Sequence, residues 1–318
     1  MRLAILASLV VLFGTAVPAS GQGSRFVARH DISLFSAPDG PGFRNPAGVA
    51  TDPFGNVFVA DTGNHRVVQF DSVGRLVFEF GGYGWREGEL SGPSDVCARE
   101  GFHLFVVDEG NERIQEFDID DNSPVGVVFP FSEGSSFGDE ELVRPSRIHV
   151  DAEGRIYVTD VLCHCVWIFT PTGELVGRLG EPGDAPSRFR DPGGVTVGPR
   201  GRVYVADTGN RRVQVFDAVG NWVAAWGGPD GDEFEEPVGI DVGPEGNVWV
   251  ADAGAAEIRV FTPAGVPLFR FGGPGDGPGT FRAPVDLAHG PDGRLWIVDE
   301  AREVVEGYSV RRLPDEGE

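Results

Sequence analysis

The sequence predicts an all-β fold, a six-bladed β-propeller of four-stranded antiparallel blades, and three repeated observations support this prediction. An Asp ends an apolar strand six times, a Pro lies fifteen residues before each Asp, and an aromatic residue lies nine residues after it. Six matches at both offsets indicate one structural unit repeated along the chain. The Asp residues are Asp61, Asp108, Asp160, Asp207, Asp252 and Asp299, the Pro residues are Pro46, Pro93, Pro145, Pro192, Pro237 and Pro284, and the aromatic residues are Phe70, Phe117, Phe169, Phe216, Phe261 and Tyr308.

Each repeat contains short strands separated by tight turns. In the first repeat, residues 46–70 alternate apolar and polar positions between Pro, Gly and Asn turns, and residues 76–80 form a fourth apolar strand. Repeats of 45 to 52 residues with four strands are typical of propeller blades. The predicted blade cores are 46–80, 93–129, 145–179, 192–226, 237–271 and 284–310.

The sixth repeat ends soon after Tyr308 without an apolar fourth strand. Residues 26–35 precede the first repeat and belong to none. We expect this N-terminal strand to complete the last blade and to close the ring, which hides an edge that would otherwise favour aggregation. The predicted propeller spans residues 25–310, and the polar residues 311–318 are predicted to be a disordered tail.

The first 20 residues have the three-part pattern of a secretory signal peptide. Arg2 is followed by an apolar run from Leu3 to Phe13 and then by small residues, with cleavage expected near Ala19. The run is shorter than the roughly 20 residues that span a bilayer, and no second such run follows, so no membrane span is predicted. We expect an exported protein, either periplasmic or extracellular.

Charge and cysteine content narrow the classes of partner and of fold. The formal net charge is −23, and such an acidic surface repels nucleic acid and anionic lipid. Three Cys residues cannot form a disulfide framework, because at most one disulfide is available to them. The acidic turn at residues 118–122 could hold calcium, but it lacks the Gly and the distal Glu of a standard calcium loop.

The segment around the strand-ending Asp is nearly the same in several repeats. It reads VADTGNHRVVQF at residues 59–70, VVDEGNERIQEF at 106–117 and VADTGNRRVQVF at 205–216. These segments resemble the NHL repeat family of six-bladed propellers, and the resemblance covers residues 43–310. Members of that family include RNA-binding and protein-binding modules, extracellular sensor domains and a peptide-amidating lyase. The resemblance implies the fold and leaves the function open.

The resemblance also allows one test of an enzymatic function. The amidating lyase of the family carries zinc-binding His residues directly after the Pro that opens some of its blades. The corresponding residues here are Ala47, Ser94, Ser146, Gly193, Val238 and Val285, and none of them is His. The zinc site of the lyase is therefore not implied for this chain, and no metal site is predicted.

The repeated polar residues have a structural and a functional interpretation. We interpret the six strand-ending Asp residues as turn-forming side chains that accept hydrogen bonds from the N–H groups of the following turn. A ring of six carboxylates around the channel is the alternative. The Asn and Arg that follow in repeats 1, 2 and 4 are expected to link neighbouring turns by charge-assisted hydrogen bonds.

Function is better sought where the repeats differ, and the innermost strands differ two residues after the Pro. Repeats 1, 4 and 5 have Gly there, whereas repeats 2, 3 and 6 have Asp95, Arg147 and Asp286. His149 lies two residues further along the same side of its strand. These four residues are the candidate ligand-binding cluster at the channel mouth. The alternative is an ion pair that fills the channel together with water.

The loop face, which carries the turns between second and third strands and the links between blades, offers further candidates. Cys163, His164 and Cys165 stand in the third of these turns. They could hold zinc or copper, form a strained disulfide, or pack as small apolar residues. Tyr83 and Trp85 in the link after the first blade could form an exposed contact patch or pack beneath the link.

The favoured function is a non-enzymatic recognition or scaffold module that binds a protein, a peptide or a glycan on its loop face. The alternative is a metal-dependent lyase or a lactonase-like hydrolase with its site in the central channel. No cofactor is expected, although zinc, copper or calcium would fit the alternative. The protein is expected to be monomeric and not to bind nucleic acid.

Overall fold

The six-bladed propeller predicted from the repeats is the fold of the protein. The structure is a computed structural model that describes residues 11–14, 26–35, 42–99, 102–120, 123–130, 143–228 and 234–312. Within these residues the chain forms 25 strands, grouped in six antiparallel sheets, and five short 3-10 helices. No helix in the described ranges is long and apolar enough to cross a membrane.

The first three blades follow one another along the chain, and each has its four strands in sequence order. Blade 1 contains β3 (Pro46–Thr51), β4 (Val57–Asp61), β5 (Arg66–Phe70) and β6 (Leu76–Gly81). Blade 2 contains β7 (Pro93–Arg99), β8 (His103–Asp108), β9 (Arg113–Asp118) and β10 (Pro124–Pro130). Blade 3 contains β11 (Pro145–Val150), β12 (Ile156–Asp160), β13 (Cys165–Phe169) and β14 (Leu175–Leu179).

The last three blades repeat this order, except that the final strand of blade 6 comes from the N-terminus. Blade 4 contains β15 (Val195–Gly198), β16 (Arg202–Asp207), β17 (Arg212–Phe216) and β18 (Trp222–Gly227). Blade 5 contains β19 (Pro237–Val242), β20 (Val248–Asp252), β21 (Glu257–Phe261) and β22 (Pro267–Gly272). Blade 6 contains β23 (Pro284–His289), β24 (Arg294–Asp299), β25 (Val304–Arg312) and β2 (Phe26–Leu34). The 3-10 helices are Thr62–Asn64, Glu109–Asn111, Pro199–Gly201, Thr208–Asn210 and Glu300–Arg302.

The path of the chain gives the propeller two different faces. Each innermost strand leaves the loop face at its Pro, and the second strand returns there at the repeated Asp. Pro46 therefore pairs with Asp61, whereas Thr51 at the other end of the strand pairs with Val57. We call the face that carries the turns between first and second strands, and between third and fourth strands, the opposite face.

β2 closes the ring, as predicted. It pairs antiparallel with β25 from Phe26, opposite Arg312, to Leu34, opposite Val305. The innermost strand of blade 6 also contacts that of blade 1, so the circle of blades is complete. β25 continues through Arg312, two residues beyond the predicted end, because its last residues pair with the start of β2. Residues 313–318 of the predicted tail lie outside the described residues.

One further strand, β1 (Val11–Gly14), pairs with β2 at the outer edge of blade 6. It lies within the predicted signal peptide, and the other residues of that segment lie outside the described ones. Export therefore stays a prediction.

The hydrophobic core lies between neighbouring blades. At the junction that closes the ring, Val59 and Phe70 of blade 1 pack in one buried cluster with Trp296 and Val298 of blade 6. Equivalent clusters join the other pairs of blades. These interfaces fix the innermost strands around the channel and so position the polar residues that line it.

Candidate functional site

The six repeated Asp side chains are buried near the loop face. Each accepts a hydrogen bond from the backbone N–H of the residue seventeen positions earlier, in the link that enters the same blade. The donors are Arg44, Ser91, Val143, Arg190, Glu235 and Arg282. The Asp therefore holds the inter-blade link against its own blade.

Side chains of the turn complete this hydrogen bonding in blades 1, 2 and 4. In blade 4, Asp207 accepts from Arg212 Nε at 2.7 Å, from Asn210 Nδ2 at 3.0 Å and from Gln214 Nε2 at 2.9 Å. Asn210 Nδ2 also donates to Gly183 O in the preceding link, at 2.9 Å. The Asn and Arg of the repeat thus join turn, link and strand through one carboxylate.

The turn's own N–H groups, which were expected to be the main donors, contribute less. Within the described residues they reach the Asp in blades 3 and 6, for example from Cys163 N to Asp160 Oδ1 at 3.0 Å. In blade 4 the turn N–H of Gly209 instead donates to Arg190 O at 2.8 Å. The turn bonds to the backbone of the link, so the carboxylate is left for side chains and for the link N–H.

Cys163 and Cys165 occupy in blade 3 the positions that Asn64 and Arg66 have in blade 1. Neither forms a disulfide, and Cys165 is buried in the core between blades 2 and 3. Burial raises the pKa of Cys163 to about 11 and strongly raises the pKa of Cys165, so both are protonated at neutral pH. Among the described residues, no three His, Cys, Asp or Glu side chains are placed to hold a metal ion. This geometry is that of small packing residues.

His164 has the same surroundings as His65 in blade 1. Both residues have a positive φ, 52° and 57°, at the end of the turn. His164 Nδ1 accepts from Asp191 N and His65 Nδ1 accepts from Gly92 N, at 2.9 Å in both blades. The ring therefore holds the next link in place, and the Cys-His-Cys sequence does not bring three side chains to one common point.

Arg147 crosses the channel near the loop face. Its Nη1 donates to Ala47 O at 2.6 Å and its Nη2 donates to Val285 O at 3.2 Å, so blade 3 is bonded to blades 1 and 6. The same guanidinium lies 3.9 Å from Asp95 Oδ1 and 3.8 Å from Asp286 Oδ2. The structure thus brings together three of the four predicted channel residues.

The two acidic residues of this cluster also bind the backbone of the next blade. Asp95 Oδ2 accepts from Ile148 N and Asp286 Oδ2 accepts from Val49 N, both at 2.8 Å. The innermost strand has no further strand on its channel side. The carboxylates satisfy N–H groups that would otherwise face the channel without a partner.

Two of the Gly residues at this position of the repeat make room for the charged residue of the next blade. A Cβ on Gly48 would overlap Asp95 Oδ1 of the next blade, and a Cβ on Gly239 would lie 2.7 Å from the Cα of Asp286. The Gly in one blade and the Asp in the next therefore form a complementary pair. This explains the Gly at two of the three positions, in blades 1 and 5.

A cavity with a volume of about 150 Å³ extends from the Arg147 cluster toward the opposite face. Its lining residues stand two to five positions after the Pro of each innermost strand. Side-chain exposure rises along it, from 7% at Asp95 to 23% at Asp241. His149, the fourth predicted residue, lines the wall together with Asp241 and His289. The candidates were expected at the loop face, but the cavity that they line lies on the other side of Arg147.

Asp241 and His289 form a hydrogen-bonded pair between blades 5 and 6. His289 Nδ1 lies 2.8 Å from Asp241 Oδ2, and His289 N donates to the same oxygen at 3.0 Å. Trp249 packs edge to face against the imidazole at 5.0 Å. His289 is not among the residues predicted from the sequence, because the alternation of a strand places it on the side away from the channel. It lies at the end of its strand, where the partner Asp241 holds it.

Electrostatics differ between the floor and the mouth of the cavity. Burial and then the carboxylate of Asp286 raise the pKa of Asp95 to about 8, and burial raises the pKa of Asp286 to about 6 despite Arg147. Burial alone would raise the pKa of Asp241, but the hydrogen bond from the His289 imidazole and its charge outweigh the effect of burial. The pKa of Asp241 therefore lies below its ordinary value. Burial lowers the pKa of His149. The raised pKa values of Asp95 and Asp286 and the lowered pKa of Asp241 thus distinguish the floor of the cavity from its mouth.

We predict that Asp95→Asn makes the stability of the protein less dependent on pH. Because the pKa of Asp95 is raised in the folded state, folding binds a proton between about pH 4 and pH 8, and the free energy of unfolding falls as pH rises through this window. The Asn side chain keeps an oxygen for Ile148 N and does not titrate. Its stability relative to the wild type should therefore increase from about pH 5 to about pH 8 in urea unfolding.

The control for this experiment is Glu153→Gln, whose parent side chain is 71% exposed on the opposite face. The control should unfold like the wild type at both pH values, because an exposed carboxylate has similar surroundings in the folded and unfolded chain. A constant difference between the Asp95→Asn protein and the wild type across this range would contradict the raised pKa.

The link after blade 1 presents two exposed aromatic side chains on the loop face. We call residues 82–92 the aromatic link. Tyr83 is 74% exposed and Trp85 is 75% exposed. Arg113 donates to Trp85 O at 2.8 Å and to Glu89 O at 2.7 Å, and Asn111 Nδ2 donates to Gly84 O at 2.8 Å. The backbone of the link is thus held by blade 2, while the two rings project from it.

Two other links share the same backbone hydrogen-bonding frame. Each contains the same isolated bridge and the same return hydrogen bonds, and blade 4 holds its link through Arg212 as blade 2 does through Arg113. At the positions of Tyr83 and Trp85 these links carry other residues. They are Pro182 and Asp184 in one link, and Pro274 and Asp276 in the other. The frame of the link therefore does not require aromatic residues at its tip.

Comparison with known proteins agrees with the repeat pattern. The sequence profile of the NHL repeat matches residues 43–70, 189–216 and 234–261, which belong to blades 1, 4 and 5. NHL repeat-containing protein 3 of Homo sapiens is 35% identical over 101 residues, which cover 30% of this chain and 29% of that protein. Peptidylglycine alpha-amidating monooxygenase of Rattus norvegicus is 32% identical over 99 residues, which cover 29% of this chain and 10% of that protein.

These matches span less than a third of the relatives' own length. A solved structure of a gluconolactonase from Xanthomonas campestris has a TM-score of 0.62 at 16% identity, with coverage of 96% of this chain and all of that chain. At this identity the likeness concerns the fold alone. The six repeats and the circle of four-stranded blades agree with the matched profile, and the chain is a six-bladed β-propeller that contains NHL repeats.

Proposed function

We propose that this protein is a non-enzymatic, extracytoplasmic recognition module that binds a protein partner through the aromatic link on its loop face. The observation that carries the proposal is the pair of exposed rings, Tyr83 and Trp85, on a backbone that blade 2 holds through hydrogen bonds. Trp, Tyr and Arg are the residues most enriched among those that dominate protein interfaces. The signal-peptide pattern of residues 1–20 supports the extracytoplasmic location.

A rigid link favours binding because little freedom is lost when the partner arrives. Arg113 and Asn111 fix the carbonyl groups of the link before any partner is present. Ordering a mobile interface side chain or loop costs about 0.5–1.5 kcal/mol for each group, and a preorganised link avoids part of this cost. We call the two equivalent links, which carry Pro182 and Asp184 or Pro274 and Asp276, the sister links. They form the same backbone frame, so the exposed rings are not needed for it.

Charge indicates the kind of protein partner. The chain has a net charge of −23, so a partner with a basic rim is attracted over several ångströms and an acidic partner is repelled. Glu87 is exposed beside the two rings and adds negative charge at the patch itself. We therefore expect a partner that covers the rings with an apolar pocket and surrounds them with Lys or Arg.

The alternative, a metal-dependent lyase or lactonase, has weaker support. The similarity to the gluconolactonase concerns the fold alone, and no group of metal ligands is formed among the described residues. None of the residues that follow the blade-opening Pro is His. The recognition proposal rests on a feature that distinguishes one link of this chain from its two sisters.

Exchange of the two rings for the residues of the sister links tests the proposal. The exported proteins of the source organism are crosslinked to the purified protein, the captured partner is identified and purified, and its dissociation constant is measured. Tyr83→Pro combined with Trp85→Asp should leave the fold unchanged, since the sister links carry these residues in the same frame. We expect binding to weaken about 100-fold or more, because two interface residues of this type contribute about 2 kcal/mol each.

Asp184→Ala in a sister link is the matched control and should bind like the wild type. If the double variant and the wild type capture the same proteins with equal affinity, the aromatic link is not the recognition surface. Binding of purified glycans, without any protein partner, would replace the proposed partner class.

A further inference from the structure

The cavity on the opposite face is separate from the aromatic link, and no role on the loop face involves it. At its floor, Arg147 is bonded to backbone carbonyl groups and shared by Asp95 and Asp286. At its mouth, Asp241 is the more exposed carboxylate. Three carboxyl side chains, those of Asp95, Asp241 and Asp286, line the cavity together with one guanidinium. Acidic groups therefore outnumber the permanent positive charge, and the cavity favours cations over anions.

The mouth of the cavity has hydrogen-bond acceptors available. His149 is partly buried and lines the cavity, and its imidazole makes no hydrogen bond to another described residue. A neutral imidazole has one nitrogen that accepts a hydrogen bond. Asp241 Oδ2 already accepts from both Nδ1 and N of His289, whereas Oδ1 accepts only from Val242 N and can accept one more hydrogen bond. These acceptors suit a ligand that carries several N–H donors.

Small apolar side chains lie beside these polar groups. Ala50, Cys97 and Ala288 line the same cavity. A volume of about 150 Å³ is close to that of a cavity that accommodates benzene, so there is room for a short alkyl chain as well as a polar head. A metal ion needs three or more ligands at about 2.0–2.6 Å, an arrangement that the described residues do not form. A hydrogen-bonding cation does not need such convergence.

We propose that this cavity is a binding site for a small primary ammonium group, held by Asp241 and His149 at the mouth with its alkyl chain against Ala50 and Ala288. The ammonium supplies three N–H donors to these acceptors. Its charge compensates the carboxylate that Arg147 does not neutralise. The site is independent of the partner-binding surface on the loop face.

Titration with propylammonium tests the proposal, with the ring nitrogen signals of the histidines followed by NMR at constant ionic strength. We expect saturable shifts of the His149 and His289 signals. Propanol, which has no charge, and tetramethylammonium, which has no N–H, should leave these signals unchanged. Equal shifts with all three compounds would show that the effect requires neither the charge nor the N–H groups. No shift with propylammonium would show that the amine does not bind in the cavity. Either result would overturn the proposal.

Two variants test separately the contribution of the Asp241 charge and that of the cavity volume to binding. Asp241→Asn should weaken propylammonium binding about ten-fold or more, since a hydrogen bond to a charged group contributes about 1.5–3 kcal/mol. Ala288→Leu fills the cavity without changing a charge and should abolish the shifts. Glu153→Gln, on the same face, should bind like the wild type. Unchanged binding by the filled variant would show that the amine binds elsewhere and would contradict the proposal.

A lysine side chain carries the same group as a free amine, and a parallel titration with the peptide Gly-Lys-Gly distinguishes the two sources. Binding of both compounds supports a site open to lysine side chains. Binding of propylammonium alone supports a site for free amines. Loss of partner binding on the loop face does not affect either result, because the readout is the histidine signals of the cavity.

Discussion

Removal of residues 25–36 from the protein expressed from residue 20 is expected to prevent folding. These residues contain β2, which pairs with β25 over its whole length and completes blade 6. Ala28 and Leu34 are almost completely buried, and Phe26 stacks on Phe269 of blade 5 at 4.2 Å. Without β2, the edge of β25 and the side of blade 5 would both be exposed, and an exposed edge strand with apolar neighbours favours aggregation.

A single substitution tests the same junction between blades 6 and 1 without removal of the strand. Leu34→Ala should lower the free energy of unfolding by about 3 kcal/mol, because it leaves a cavity beside the core between blades 6 and 1. Phe35→Ala is the matched control, since Phe35 is 69% exposed, and it should change the stability by less than about 0.5 kcal/mol. Urea unfolding followed by circular dichroism measures both. A soluble truncated monomer with an unchanged melting temperature would contradict the role of β2 in closing the ring.

The fold was predictable from the sequence because each blade is specified locally. Pro46, Asp61 and Phe70 mark the start of a first strand, the end of a second and the end of a third, and the structure places strand ends at all three. The missing fourth strand of the last repeat also predicted that residues 26–35 close the ring. The spacing of residues along the chain was sufficient to predict both the strand boundaries and the closing strand.

The site was harder to predict because it depends on contacts between blades. The sequence placed Arg147 beside Asp95 and Asp286, as found, because the equivalent positions of neighbouring innermost strands lie at one level of the channel. It did not show that Gly48 makes room for Asp95, since that contact joins two repeats. His289 was missed because the alternation of its strand places it on the side away from the channel, and its partner, Asp241, is 48 residues away in another blade.

The loop face shows a second limit of sequence analysis. The Cys-His-Cys sequence drew attention because it is chemically unusual, yet His164 and His65 form the same hydrogen bond to the next link. For Tyr83 and Trp85 the sequence left open whether the rings are exposed or packed beneath the link, and the structure shows both rings exposed. Residues at corresponding positions of the repeats share a structural role. The informative residue is therefore a side chain that differs from those of the equivalent links and that the backbone of its link does not require.

The largest loss of stability expected from a single side chain concerns the repeated Asp. Asp207→Ala removes the acceptor for Arg212 Nε, for Asn210 Nδ2 and for the backbone N–H of Arg190. The guanidinium of Arg212 is only 13% exposed and loses its paired charge. Because a buried charge without its partner is strongly unfavourable, we expect the free energy of unfolding to fall by about 4 kcal/mol.

Asp184→Ala is the control for this measurement, because Asp184 is exposed at the tip of the link that Asp207 holds and its loss should change the stability by less than about 0.5 kcal/mol. Asp207→Asn separates charge from shape: the amide keeps one oxygen for the donors but brings an NH₂ group toward Arg212. The Asn variant should therefore lie between the wild type and the Ala variant in urea unfolding. If Asp207→Ala unfolds at the same urea concentration as Asp184→Ala, the buried carboxylates do not hold the links to the blades, and the rigid frame beneath Tyr83 and Trp85 must have another origin.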